Sequence, residues 1–342
     1  MQWTNPLEHS DWDSLILERP DFSFFHSSAW ANVLTETYGY TPTYFIARKS
    51  GALHSLLPIM EVASRLTGRR GISLPFTDDC EPLCPDTTSF KKLFQNAIEF
   101  GKGRDWKFIE FRGGRKFANR IPASLSFHGH TVDLADGEGL LFNNLKNSVR
   151  RAIRNAEKNG VEVEISQDLE SVRNFYSLQC KARRKHGLPP QPFSFFANIQ
   201  KYVLSRNFGF VALARWQKNP IAASIFFQFG DCAIYKFGAS DEGFQNLRGN
   251  NLTMWEAIKC LSRRGVKKMD LGRTSVKNEG LRRFKSGWGA EEKTIEFFKY
   301  DLRQNTFVAD RDESCGWHNR VFRSLPSFAS RLIGKALYRH WA

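Results

Sequence analysis

Apolar positions recur along the chain with two periods, and their alternation predicts an α/β architecture. The stretch "FHSSAWANVLTETYG" (25–39) reads as a helix, with a Ser cap, Trp30, Val33 and Leu34 on one side, and Gly39 as its stop. Residues 42–64 read as two strands about a turn at Ser50-Gly51, and "GISLPF" as a short strand after them. Over 89–104, Phe90, Leu93, Phe94, Ala97 and Ile98 share one face of an amphipathic helix. "WKFIEFRG" and "SFHGHTVDL" are further strands. The same grammar then repeats at greater length. A helix is expected over 138–160, burying Leu141, Phe142, Leu145, Val149, Ile153 and Ala156, then the strand "VEVEI" and a helix over 169–187. Three strands follow over 208–240, with turns at Lys218-Asn219-Pro220 and Gly230-Asp231, then a helix over 250–265 and the strand "VKKMDLG".

Two α/β halves of related grammar predict a duplicated fold, although no residue-level repeat is visible. A chain of 342 residues suits two domains. We place them at 1–137 and 138–305, with a tail over 306–342. Apolar residues make up 41 % and aromatics 14 %, enough for sizeable cores, which excludes a disordered chain. No apolar run reaches the roughly 20 residues needed to span a bilayer. The N-terminal stretch is polar and acidic with no apolar signal core, so the expected compartment is the cytoplasm.

Charge changes the picture more than composition does. Residues 1–140 hold 15 Lys/Arg against 17 Asp/Glu, or −2, while 141–342 hold 35 against 18, or +17, restoring the total of +15. An anionic partner is therefore expected in the second part: nucleic acid, phosphorylated cofactor, anionic lipid or acidic glycan. In the predicted helix over 138–160, Lys146, Arg150, Arg154 and Lys158 recur every four residues as one cationic line, which is either a solvated face or a contact surface. The segment 317–342 contains no acid and carries Arg320, Arg323, Arg331, Lys335 and Arg339. Its apolar face (Phe328, Ala329, Leu332, Ile333, Ala336, Leu337) suits a membrane surface or packing on the protein's own sheet.

Candidate chemistry gathers near the last predicted helix. Strand, strand, strand, helix, strand presents that helix's N-terminal N–H groups at the sheet's opening, which is a ready anion site. "DEGFQNLRGNN" (241–251) leads into it, with Arg248 adding charge, Gly249 allowing close approach and Asn250 and Asn251 as capping residues. The six cysteines are scattered, and only Cys80 and Cys84 lie close, so no zinc pattern forms and no metal site is expected. His128 and His130 lie two apart on one strand face without an evident third ligand and read as ordinary polar positions.

Several of these pieces occur in a fixed order: "FHSSAWANVLTETYGY", "SLPFTDD", "LKNSVRRAIRNAEKNGVEV", "ARRKHGLPPQPFSFF", "GNNLTMWEAIKCLSRRGVKKMDLGRT" and "GLRRFKSGWGA". From about 22 to 340 the chain thereby resembles the FemAB-like branch of the GNAT acyltransferase superfamily, including its BioF2-like acetyltransferase group. Within that branch it looks most like FemAB-related proteins of exopolysaccharide and PEP-CTERM systems. The resemblance implies two tandem GNAT-type domains, each a mixed, mostly antiparallel sheet flanked by helices. It further implies an acyltransferase with no tightly bound cofactor, whose co-substrate is acyl-CoA or aminoacyl-tRNA. Its acceptor would be an anionic glycan or peptidoglycan-type precursor of the cell envelope or an exopolysaccharide. The compartment it implies is the cytoplasm, with or without peripheral contact at the inner face of the inner membrane. The donor's phosphates map onto Gln245, Arg248, Gly249, Asn250 and Asn251, although the strict Gln/Arg-x-x-Gly-x-Gly/Ala fingerprint is not kept. Lys285 matches the Lys of the family's "FK" motif, which contributes to catalysis.

Acyl transfer requires a deprotonated acceptor, a stabilised oxyanion and two substrates held together. Lys285 is the candidate cation near the donor phosphate or the oxyanion, against a plain solvent-facing Lys. Asp270 is a base or the partner of Arg273, which borders the same cleft. Tyr235 is a candidate proton donor to the leaving group. Trp288 is a stacking platform or a core anchor. Arg183, Arg184 and His186 form a candidate acceptor gate, and Asp78 and Asp79 a candidate contact for a cationic acceptor. A non-catalytic basic module binding RNA or an anionic membrane surface is the alternative reading of the same charge.

Overall fold

The computed structural model describes residues 2–309 and 326–341. It divides into two compact units, one of residues 1–127, 294–313 and 336–342 and the other of residues 128–293 and 314–335.

The first unit opens with β1 (Trp3–Thr4), α1 (Trp12–Leu17) and α2 (Ser28–Tyr38). The Ser27 hydroxyl accepts from Trp30 N, and Gly39 (φ 72°) ends α2 in the left-handed region, so both expected stops operate. Next come β2 (Thr41–Pro42), β3 (Tyr44–Lys49), β4 (Ala52–Leu57), β5 (Met60–Ser64) and β6 (Gly68–Ile72). Segment 42–64 therefore holds more than the two expected strands. β3 pairs with both β1 and β4 in a small antiparallel sheet, whereas β5 pairs with β2 and β6 in another. The chain changes sheets at Pro58-Ile59, where proline cannot donate to a ladder. After α3 (Thr87–Gly103), β7 (Trp106–Arg112) pairs in parallel with β6. Asp86 caps α3 by accepting from Ser89 N at 2.7 Å. The helix buries Phe90, Leu93, Phe94, Ala97 and Ile98 against Trp106, Phe111 and Phe298.

The second unit follows from β8 (Leu125–Asp133). Residues 138–160 form α4 (Glu138–Asn144) and α5 (Asn147–Lys158) rather than one helix. Leu145 and Lys146 are extended there, with ψ of 144° and 146°. The Lys146 N–H donates to Gly287 O at 3.0 Å, so it takes a partner outside the helix. Then come β9 (Glu162–Ser166), α6 (Leu169–Lys185), α7 (Phe193–Tyr202), β10 (Gly209–Trp216), β11 (Asn219–Phe229) and β12 (Cys232–Ser240). The hairpin between β10 and β11 turns at Gln217 and Lys218, both left-handed (φ 48° and 66°), one residue earlier than expected. α8 (Gly249–Arg263), β13 (Lys268–Asp270), β14 (Thr274–Ser275) and α9 (Glu279–Ser286) complete the unit's main run. α9 was not legible as a helix; it covers "EGLRRFKS".

The strand order is β8-β13-β12-β11-β10-β9, antiparallel except for β12 with β13. α5 and α8 cover one face through Val149, Ile153, Trp255 and Leu261 against Phe210 and Phe226. α6 and α7 cover the other, where Phe175, Phe196 and Phe237 gather within 5.3–6.3 Å of one another. β15 (Glu291–Asp301) returns to the first unit, pairing with β7 through residues 297–301, and carries β16 (Thr306–Val308). α10 (Ser327–Leu337) is the last helix. Cys315, Arg320 and Arg323 lie outside the described residues. The architecture is the expected one, mixed α/β with mostly antiparallel sheets flanked by helices.

Candidate active site

The second unit's only described parallel pair is also where its sheet opens. β12 and β13 share three register pairs, from Cys232–Lys268 to Ile234–Asp270. β13 ends there while β12 runs on to Ser240. A bulge at Lys236 shifts the β11–β12 register between Phe226–Tyr235 and Ile225–Phe237, and bulges of this kind bend a strand away from its neighbour. α8, which connects the two strands, starts at the far end of β12.

That start gathers the five predicted phosphate-site residues. Gln245 lies in the 3-10 turn Glu242–Leu247, whose end is Arg248 in the left-handed region (φ 58°). Arg248 O accepts from Asn251 N at 2.9 Å, and Asn250 Nδ2 donates to Ser240 Oγ at 2.9 Å. Gly249 is buried, and a Cβ there would lie 3.1–3.2 Å from Ile221 and Ala222 on β11. Its small size serves the seating of α8 on the sheet.

Tyr235 sits one residue beyond the last β12–β13 pair. Burial pushes its phenol up, against a hydrogen bond with Ser224 that acts the other way. Its ring lies over Gly238, where a Cβ would come within 1.9 Å of the Tyr235 hydroxyl oxygen. The shift makes this phenol a weaker acid, and its ring packs on Phe226 at 5.4 Å.

On the other side of the opening, Asp270 accepts from Gly272 N at 2.6 Å, forming the tight turn after β13. Gly272 is left-handed (φ 71°). Lys285 of α9 reaches this turn and donates to Gly272 O at 2.7 Å and Arg273 O at 3.0 Å. The helix that delivers it is capped by Asn278, which accepts from Leu281 N. Asp270, Arg273 and Lys285 are therefore brought together. Lys285 is only 2 % exposed, which removes the solvent-facing alternative. Its ammonium clamps the "DLGR" turn.

Sequence reasoning passed over a neighbouring group. His130 on β8 is fully buried, with Nε2 3.1 Å from Glu292 Oε2, and His128 Nδ1 lies 3.4 Å from Glu292 Oε1. Glu292 also accepts both guanidinium bonds of Arg282, at 2.8 Å each. That ion pair holds its carboxyl down at about 2. Burial, helped by the Lys285 charge, lowers the His130 imidazole and keeps it neutral. The alternation of His128 and His130 was visible in sequence, but their partner lies some 160 residues away.

The remaining predicted residues fall elsewhere. Trp288 is 1 % exposed, edge-on to Phe284 at 6.0 Å and part of the core under α5 and α8; it is an anchor, not an open stacking platform. Its flanking glycines have separate reasons: a Cβ at Gly287 would lie 2.8 Å from Val149, and Gly289 is left-handed (φ 72°). Lys181–Asp241 and Lys185–Glu242 ion pairs, at 2.6 and 2.7 Å, tie the end of α6 to the residues just before Gln245. Arg184 and His186 are exposed at that end and Arg183 is half-buried. Asp78 and Asp79 lie in the first unit, half-buried, in a loop where Leu74 and Phe76 are left-handed (φ 53° and 61°). The buried Arg112 holds that loop, donating to Leu74 O and Thr77 O at 3.3 Å each. On α5, Arg150, Arg151 and Arg154 with Asn147 line a hollow of about 480 Å3, while Lys146 stands at the helix's start. No helix among the described residues is long and apolar enough to cross a membrane.

Residues 143–292 match the family model described as Acetyltransferase (GNAT) domain. No curated protein matches the sequence significantly. Among solved structures, FemX superposes with a TM-score of 0.70 at 14 % identity, covering 89 % of this chain and 98 % of its own. L-PGS from Bacillus licheniformis gives 0.54 at 9 % identity, covering 98 % and 99 %. A tandem GNAT protein from the clavulanic acid biosynthesis pathway gives 0.54 at 11 % identity, covering 88 % and 97 %. At these identities the likeness is one of fold, while the matched domain spans the β12–α8–β13 opening and Lys285. Residues 143–292 are accordingly similar to a GNAT acetyltransferase domain, and the chain as a whole shares its fold with FemX.

Proposed function

We propose that this enzyme transfers an acyl or aminoacyl group to an amine or hydroxyl of a cell-envelope or exopolysaccharide precursor, at the opening between β12 and β13. The observation that carries the reading is the parallel pair that separates after three residues, with the start of α8 and Tyr235 at its mouth. The co-substrate is acyl-CoA or aminoacyl-tRNA. Its phosphates are assigned to the N-terminus of α8, where Arg248 is exposed. The likeness to L-PGS, a lysylphosphatidylglycerol synthetase by name, favours an aminoacyl donor and an envelope acceptor.

In the reaction the acceptor's nitrogen or oxygen attacks the donor carbonyl, and the C–S or C–O bond to the carrier breaks. The departing sulfur or oxygen takes a proton, for which the Tyr235 hydroxyl is the candidate source. Lys285 fixes the turn carrying Asp270 and Arg273 along one wall, and Asp270 is the candidate base there. Arg183, Arg184 and His186, tied to the same region by the α6 ion pairs, are the candidate acceptor contacts. Asp78 and Asp79 are candidate contacts for a cationic acceptor group.

Thermal-shift screening against acetyl-CoA, longer acyl-CoAs and aminoacyl-tRNA identifies the donor, because only a ligand of the native fold raises its midpoint. With the donor known, Tyr235→Phe is expected to slow single-turnover transfer about 10²–10⁴-fold, the range of general acid catalysis. Gly238→Ala, which drives a Cβ into the Tyr235 hydroxyl, is expected to slow it as well. Wild-type rates in both variants would remove Tyr235 from the mechanism.

A further inference from the structure

We propose that the open groove between α6, α7 and α10 docks the protein onto a membrane surface bearing anionic phospholipid. The groove has a volume of about 610 Å3 and lies apart from the β12–β13 opening in its lining residues. The proposal is independent of the acyl-transfer reading.

The packing of α10 decides which of its sides is left outside. Ser330 and Gly334, one turn apart, are buried. A Cβ at Gly334 would meet Pro190 O at 2.0 Å, so the helix backbone is pressed against the Pro189-Pro190 bend. The opposite stripe carries Phe328 and Leu332, which are 69 % and 63 % exposed. Arg331 and Lys335 share that stripe, since positions three and four apart lie on one helix face. Sequence periodicity had offered membrane contact and self-packing as alternatives for this segment; the helix does pack, but through small residues, and this leaves its two largest apolar side chains outside.

The facing wall repeats the same combination. Arg331 lies over the Tyr176 ring at 5.7 Å, and Arg173 lies over Phe193 at 5.7 Å. Arg173 is exposed and Phe193 half-buried. The nine described residues lining the groove include three cations and, among them, no carboxylate. Cations layered on aromatic faces keep their charge near the rim while their stems cover apolar surface. Two large apolar groups one turn apart, flanked by positive charge with no carboxylate among the described lining residues, match the interfacial helix that lies in a headgroup layer. A phospholipid surface satisfies both halves at once: its phosphates pair with Arg173, Arg331 and Lys335, and its acyl boundary receives Phe328 and Leu332. An acidic soluble partner would satisfy only the charge.

The test uses the full chain, sedimented with vesicles of phosphatidylcholine alone and of phosphatidylcholine mixed with phosphatidylglycerol. Binding is expected only to the mixed vesicles and is expected to weaken with salt. A basic side chain near an anionic surface is worth about 1 kcal/mol, or about fivefold, so Arg331→Gln with Lys335→Gln is expected to weaken binding roughly 25-fold. Phe328→Ser with Leu332→Ser is expected to weaken it too, leaving a remainder that salt removes. All four side chains are exposed, so unchanged thermal midpoints verify the fold of both variants. Equal binding to the two vesicle types, or wild-type binding by both variants, overturns the proposal. So does loss of tRNA binding in the variants with vesicle binding kept, which would assign the groove to a polyanion.

Discussion

Replacing Lys285 by Met keeps most of the side chain's length and removes its charge. In the native fold the ammonium is 2 % exposed and donates to Gly272 O at 2.7 Å and Arg273 O at 3.0 Å. Removing the donor leaves two carbonyls at a buried turn with one partner fewer each, at about 1–3 kcal/mol apiece. Met also escapes the several kcal/mol that a buried ammonium costs in lost hydration, which offsets part of the loss. The balance is a destabilisation of about 2 kcal/mol, a sizeable share of the roughly 5–15 kcal/mol by which domains are stable. Urea unfolding followed by fluorescence measures it as a lower midpoint at unchanged slope. Single-turnover transfer, measured where both proteins remain folded, then separates the positional role from stability alone, because a displaced "DLGR" turn lowers the rate even in the folded fraction. A stability change within about 0.5 kcal/mol, the range of an ordinary surface substitution, would refute the clamp.

Two further outcomes follow from the packing and from burial. Gly287→Ala places a Cβ 2.8 Å from Val149 and is expected to cost about 1–3 kcal/mol by overpacking; an unchanged urea midpoint would show that α5 yields freely there. In the first unit, His26 accepts from Ser23 N at 3.0 Å through Nδ1, and its Nε2 lies 2.9 Å from Glu81 O, an arrangement for a neutral ring. Burial lowers the imidazoles of His26 and His130 below the ordinary 6.5. Their contribution is therefore complete above about pH 6.5 and drains away as pH falls toward the depressed folded values, because the unfolded chain takes up protons first. The urea midpoint should drop between about pH 7.5 and pH 5.5, and by less in His26→Gln; a flat profile in the wild type would contradict this.

Local pattern carried much of both units. The cap and stop of α2, the apolar face of α3, the three strands over 209–240 and the span of α8 depend on residues within a few positions of one another, and local pattern reads them directly. Where the chain departs from its pattern, a distant partner is responsible. The helix over 138–160 breaks because Lys146 N finds Gly287 O. "EGLRRFKS" forms α9 although its only fully buried side chain is Lys285, so no apolar stripe announces it. The phosphate-site candidates could be grouped because they fall within seven residues of one another. His130 and Glu292 could not be joined, because their proximity exists only once β8 and the start of β15 are folded.

What the sequence determined by itself is most of the elements of the two sheets, the concentration of positive charge after residue 140 and the likeness to an acyltransferase family. These follow from short-range periodicity, from composition and from motif order, none of which requires knowing what touches what. Tertiary structure decided the rest. It buried Lys285 on a turn formed 12 residues upstream, turned Trp288 into an anchor, and seated α10 on Gly334 so that Phe328 and Leu332 face outward. A side chain's accessibility is a property of what packs around it, and for these residues the neighbours come from other elements of the fold.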